Sequence, residues 1–289
     1  MKKATSILLG ISFAAACVGI AAAQETTPST AFVPKVLQIT REFTKPGKSG
    51  AAHDTTESAF VRASANGKIP AHYIAMNSLT GKSRALYLTS YDSYEAWQKV
   101  NDSVNKNQAL SAEFDRAAMA DGELLDSMDS MVLTYQEEMS FHPMADLSKM
   151  RYMEASVYQV RPGHGQEWRE LVKMVKTGYE KANLGAHWAM FEMEFGADAG
   201  EYVVFTSRKS LDELDKGPME DKQFVAAIGE DGMKKLDELV AASVSSSRHE
   251  LFSFNPKQSY VPDEWVKNDP FWEQKSAPVQ AAKLTTENK

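Results

Sequence analysis

The sequence predicts an α+β fold made of two consecutive βαββαβ units, at residues 34–144 and 150–256. Three observations lead there: segments that recur in one order, strand and helix periodicities within each copy, and turn residues at the junctions. "ITREFTKPGKSG" (Ile39 to Gly50) resembles "ASVYQVRPGHGQ" (Ala155 to Gln166), and "AHY" at 71–73 resembles "AHW" at 186–188. "LYLTSYDSYEAW" from Leu86 matches "YVVFTSRKSLDEL" from Tyr202, and "MSFHP" from Met139 matches "FSFNP" from Phe252. The four offsets lie between 113 and 117 positions, so the chain repeats one unit of roughly 110 residues.

The second copy shows the elements most clearly. Glu154 to Val160 alternates as a strand and turns at Arg161, Pro162 and Gly163. Trp168, Leu171, Val172, Val175 and Tyr179 fall on one face of a helix that ends near Asn183 to Gly185. His187 to Phe195 is a second strand, and Gly196 to Gly200 makes a hairpin into Tyr202 to Ser207. Ser210 and Glu213 have the spacing of a capping box. A longer helical region covers Asp221 to Ala242, and the last strand runs from Val244 to Phe254. The order βαββαβ is the ferredoxin-like split βαβ unit. Its helices cover one face of an antiparallel sheet, so the other face needs a partner. A second copy in the same chain can supply it, sheet against sheet, as a barrel.

The chain ends carry different signals. Lys2 and Lys3 precede an apolar run from Ile7 to Ala23 that closes in three alanines, the pattern of a secretory signal peptide over 1–23. The run is short for a spanning helix, so the expectation is export, to the periplasm or beyond the cell, without a membrane span. Cys17 is the only cysteine and lies inside that segment, which leaves no disulfide and no thiolate chemistry for 24–289. The formal charge of −7 becomes two units more acidic without the two lysines, which argues against nucleic-acid binding. The tail at 257–289 holds Pro262, Pro270 and Pro278 with Trp265 and Trp272 between them. It reads as an extended arm over the domains, disordered past Lys275, with Trp265 or Trp272 available to lid a pocket.

Several signatures fail. Gly-Lys-Ser occurs at 47–49 and 81–83, but the glycine that a phosphate loop needs five positions earlier is Glu42 or Met76. No GxSxG, HExxH, GxGxxG or EF-hand pattern occurs. None of the six histidines pairs with another at the i,i+4 spacing of a helical metal site, so no metal site is expected. His53 and His164 follow the Pro-Gly turns and are expected in solvent, and His142 reads as a turn residue.

The candidate pocket residues are His187, Trp188, Arg248, His249, Tyr158 and His72. His72 and His187 begin equivalent strands, which suits either a ring held by backbone at a sheet end or a general base at the barrel mouth. Arg248 and His249 are cationic where the first copy, around Tyr135 to Glu137, is not. Their alternatives are an anion anchor and base, or an edge-strand charge set. Tyr158 and Trp188 offer aromatic walls or core packing, and most of the fourteen methionines suit core filling.

A strand ending in basic-Pro-Gly with a following tryptophan (Tyr158 to Gly163, Trp168), then a hairpin and "TS" entering a second helix (Thr206 to Leu214), resembles the dimeric α/β-barrel superfamily. Within it the likeness is to NIPSNAP-like and antibiotic-biosynthesis-monooxygenase-like domains, across most of both repeats. The resemblance implies an intrachain barrel. It also admits three functions: a binding or accessory protein for a small apolar or aromatic ligand, without cofactor; a cofactor-independent oxygenase or isomerase acting on an aromatic or polyketide-like substrate; or a haem protein with His187 or His249 as ligand. The first is the reading adopted from the sequence.

Overall fold

Strand alternation on both halves is realised as one antiparallel sheet closed on itself. The computed structural model describes residues 33–143 and 146–273. The proposed signal segment, and the tail beyond Glu273, lie outside the described residues. The first half runs β1 (Val36–Thr44), α1 (Ala51–Asn66), β2 (Tyr73–Ser78), β3 (Arg84–Tyr91), α2 (Tyr94–Lys106), α3 (Gln108–Gly122) and β4 (Leu125–Tyr135). The second runs β5 (Tyr152–Val160), α4 (Gly165–Lys181), β6 (Ala189–Phe195), β7 (Glu201–Arg208), a 3-10 turn at Leu211–Lys216, α5 (Gly217–Ser243) and β8 (Val244–Phe254).

The strand order around the barrel is β1-β3-β2-β8-β5-β7-β6-β4, with β4 returning to β1. Two seams join the halves. β2 meets β8 through Met76 and Phe254, and β4 meets β6 through Leu133 and Met193. Closure leaves no free sheet edge.

Alternation then sorts the side chains. Leu37, Ile39, Leu88, Met131, Met153, Phe205 and Phe252 point inward and fill the barrel as one apolar core. Outward residues meet the helices in separate layers. In the second half that layer is apolar and aromatic: Tyr158, Trp168, Val172, Tyr179, Trp188 and Leu239 pack together. In the first half, Val36, Ala63, Ile69 and Leu110 form a smaller apolar cluster. Ala75, Ala85 and Tyr87 form a second small cluster there, beside a group of buried polar side chains.

Several local expectations change. β6 begins at Ala189, and Trp188 instead makes an isolated bridge with Phe141. Ser210 makes no capping bond; Glu213 accepts from the Lys209 amide, and the segment tightens into a 3-10 turn. α5 starts at Gly217, earlier than periodicity suggests, and bends at Gly229, whose φ of 72° breaks the helical backbone. The tail is not merely extended. It forms α6 (Asp263–Asn268) and a 3-10 turn at Pro270–Trp272, and Trp272 is 1% exposed. The Trp272 indole N–H donates to the Ser148 carbonyl at 2.6 Å, and Arg151 stacks on Phe271 and pairs with Asp269. A buried tryptophan with its N–H satisfied anchors the segment as core.

Candidate functional site

The six residues singled out from the sequence do not converge. Trp188 and Tyr158 lie in the apolar layer under α4 and α5, outside the barrel. The Trp188 indole N–H donates to the Met139 carbonyl at 2.9 Å, a structural bond. His249 sits on the outer face of β8, with Nδ1 2.8 Å from the Ser156 hydroxyl and its ring edge-on to Tyr158. Arg248 faces the opposite side of the same strand, at one mouth of the barrel, beside Glu250 at 3.9 Å. Glu250 also binds Arg84, and Arg41 holds Asp129 through two bonds of 2.6 and 2.8 Å. Arg41, Arg84, Arg248 and Glu250 border a space of about 40 Å³ at that mouth.

His187 is at the other mouth. Its Nε2 lies 2.9 Å from the Ser207 carbonyl, and Gly185 supplies a second backbone contact. Burial lowers its pKa below 6.5, against the raising effect of those two backbone bonds; Arg208 lowers it further, and Glu213 opposes. The ring is therefore neutral at pH 7. His72, its counterpart, packs against Tyr260 with ring centres 4.6 Å apart, and burial likewise lowers its pKa.

His187 borders a cavity of about 170 Å³. Leu37, Leu88, Met153, Phe191 and Phe205 form its floor and walls, and Ser90 and Ser207 add hydroxyls. Trp265 of α6 also lines it, so the tail forms part of the enclosure. Among the residues lining this cavity His187 alone titrates near neutral pH.

A second constellation was missed by the sequence reading. His53, expected in solvent, is 2% exposed. It lies on the inward face of α1, with Nε2 3.1 Å from Glu42 Oε2 and 3.4 Å from Asp121 Oδ1. Glu57, one turn along α1, completes the group: one ligand atom from each of Glu42, His53, Glu57 and Asp121 lies within 4.8 Å of the others. Exposures are 7%, 2%, 3% and 2%. Among the described residues no lysine or arginine forms an ion pair with any of the three carboxylates. Burial, with Glu42 and Asp121 adding repulsion, pushes the Glu57 carboxyl up to about 9, so it is protonated at neutral pH. Thr56 donates to Asp121 at 2.6 Å, and Gln258 from the loop after β8 approaches His53 Nδ1 at 3.4 Å.

The matched sequence segments held a signal for this group. At the offset of 115 that relates Ala71 to Ala186, His53, Glu57 and Ser64 fall on Trp168, Val172 and Tyr179. At the offset of 116 that relates the Pro-Gly turns, Glu42 falls on Tyr158. Polar residues thus stand where the second copy packs an aromatic layer. A search for paired histidines passes over a group assembled from one strand and two helices.

No family model matches the chain, and no curated relative matches it. Solved structures do. A candidate monooxygenase from Fusobacterium nucleatum superposes with a TM-score of 0.51 at 13% identity, covering 77% of this chain and 93% of that one. An anthrone oxidase-like protein gives 0.50 at 14%, covering 79% and 94%. A mutant chlorite dismutase from Candidatus Nitrospira defluvii gives 0.48 at 8%, covering 84% and 98%. At such identities the likeness concerns architecture. With the closed antiparallel sheet and its outer helices, it gives this chain the fold of the dimeric α/β barrels.

Proposed function

We propose that this protein is an exported, tandem ferredoxin-like barrel that binds a small apolar or aromatic molecule at the His187 mouth. The observation that carries the reading is the cavity of about 170 Å³ with apolar walls, a histidine–serine corner and Trp265 at its edge. Size narrows the ligand. An apolar cavity of about 150 Å³ holds benzene, so the space suits one ring better than a fused polyketide. The His187 ring and the Ser90 and Ser207 hydroxyls favour a phenol-like molecule with one polar atom over a plain hydrocarbon. The export reading rests on residues 1–23, and the tandem reading on the shared plan of each half, strand, helix, two strands, a helical segment and a last strand, with domains at 34–144 and 150–256 and the tail at 257–289.

Titration with phenol, followed by tryptophan emission and calorimetry, tests this. Saturable binding that Ala189→Phe abolishes is expected, because the larger side chain fills the cavity. Absence of saturable binding by phenol, cresol and indole contradicts it.

A cofactor-free oxygenase or isomerase is the second reading. The neutral His187 ring favours it, since a base must be unprotonated to accept a proton. Haem fits these residues less well. The His187 Nε2 is engaged by Ser207, and the cavity is well below the several hundred Å³ usual for drug-sized ligands. Absence of a Soret band after haem addition is the expected result.

A further inference from the structure

We propose that Glu42, His53, Glu57 and Asp121 form a binding site for one divalent transition-metal ion, of the Mn2+ or Fe2+ type. The site is separate from the His187 cavity: it lies between the outer face of the first-half sheet and helices α1 and α3. Neither the proposed ligand at the barrel mouth nor any reaction there depends on it.

Charge is the first argument. Three buried carboxyl groups converge on one imidazole, and no lysine or arginine among the described residues pairs with them. Buried carboxylates are costly unless paired or bound to a cation. Geometry is the second. The four ligand atoms come from β1, α1 and α3, and all lie within 4.8 Å of one another, close enough to share one ion after small side-chain adjustment. An unfilled bonding capacity is the third. Glu57 Oε1 is buried and has no hydrogen-bond partner, although its residue is 3% exposed and belongs to the cluster. Native interiors satisfy most such atoms, and although Tyr87 and Asp121 approach the Glu57 carboxyl, its Oε1 keeps bonding capacity that a cation can fill.

The surroundings suit the role. Thr56 holds Asp121, and the Gln258 amide stands beside the far nitrogen of His53, so two ligands have outer partners that fix their orientation. Gln258 is itself held by Asp54 and Tyr87. A groove between α1 and α3, lined in part by Thr56, Ala59, Arg116 and Ala117, reaches the residue that bonds Asp121.

The donor set selects the metal class. One imidazole and three carboxylates are harder than the thiolate and multiple-imidazole sets that favour copper or structural zinc. Four donors leave positions of a six-coordinate ion open for water or a small ligand. His53 presents Nε2 to the carboxyl groups of Glu42 and Asp121, while its Nδ1 faces Gln258.

The test uses the full chain, stripped with chelator and dialysed against Mn2+. Expected are one Mn2+ per chain by elemental analysis, a perturbed Mn2+ electron-spin resonance spectrum and a raised Tm. Glu57→Gln keeps the size of the side chain and removes its capacity to bind a cation as a carboxylate. It should remain folded by circular dichroism yet lose the Mn2+-dependent rise in Tm, and Gln258→Ala should weaken binding by about 10–100-fold. His187→Ala should leave Mn2+ binding unchanged, which separates this site from the barrel mouth. The proposal is overturned if the folded wild-type chain takes up no stoichiometric Mn2+ or Fe2+. It is equally overturned if Glu57→Gln and His53→Gln, both folded, bind Mn2+ as the wild type does.

Discussion

At the scale of single residues, burial decides what each histidine does. His53 is at the third position of α1, close after a Pro-Gly turn, and looks solvent-exposed on sequence grounds. Packing of α1 against β1 turns it inward against Glu42 instead. His187 is neutral because burial opposes its charge, and this has a thermodynamic consequence. Its folded pKa is lowered from 6.5, so the unfolded chain takes up the proton first. Stability is then full above pH 6.5 and falls as pH drops toward the folded value, by at most about 1.4 kcal/mol per pH unit. His72 shifts the same way and adds to the slope. Urea midpoints at pH 7.5 and 5.5 should show the loss in the wild type and a smaller one in His187→Gln. An equal loss in both would mean that His187 does not carry it. Trp272, fully enclosed with its N–H bonded, is the other residue with a large individual effect. Trp272→Ala should cost about 3–5 kcal/mol in chemical denaturation, whereas a change below 1 kcal/mol would show that the tail is not part of the core.

At the scale of elements, the sequence was most legible where one side chain type filled one face. β5 alternates, α4 carries a clean apolar stripe, and β8 has the limits read from periodicity, Val244 to Phe254. α1 was harder because its inward face carries His53, Glu57 and Ser64, which give no apolar stripe. Periodicity reports hydrophobic contrast, so a helix that buries polar groups against a sheet is silent to it. Only the comparison of copies exposes such a face. The seam between β4 and β6 depends on a glycine. Gly196 has a φ of 93°, and a Cβ there would come within 2.3 Å of the Ser130 carbonyl oxygen. Gly196→Ala should therefore lower stability by about 2 kcal/mol or more. Hydrogen exchange should locate the opening at this seam; protection unchanged across β4 and β6 would contradict the assignment.

At the scale of the whole molecule, the barrel makes each half the lid of the other. The inner face of the second half carries Met153, Ala155, Val203, Phe205 and Phe252, all buried by closure. Residues 150–256 expressed alone should self-associate through this face, as sedimentation would show; a folded, soluble monomer would contradict it. Closure also reaches across the halves on the outside, because Gln258, which follows the last strand of the second half, bonds groups beside the first-half cluster. The closed antiparallel sheet could be anticipated from matched segments and turn residues. Convergence of side chains could not, because Arg248 and His187 fall at opposite mouths of the barrel while His249 lies outside it. The two copies differ most sharply in the layer beneath α1, where polar groups replace the aromatic packing found beneath α4.

That difference is the central claim, and diffraction tests it most directly. Crystals of the full chain grown with Mn2+ should show one anomalous-difference peak at the manganese edge, enclosed by Glu42, His53, Glu57 and Asp121. No peak among these four side chains at saturating Mn2+, or peaks confined to surface carboxylates, would contradict it.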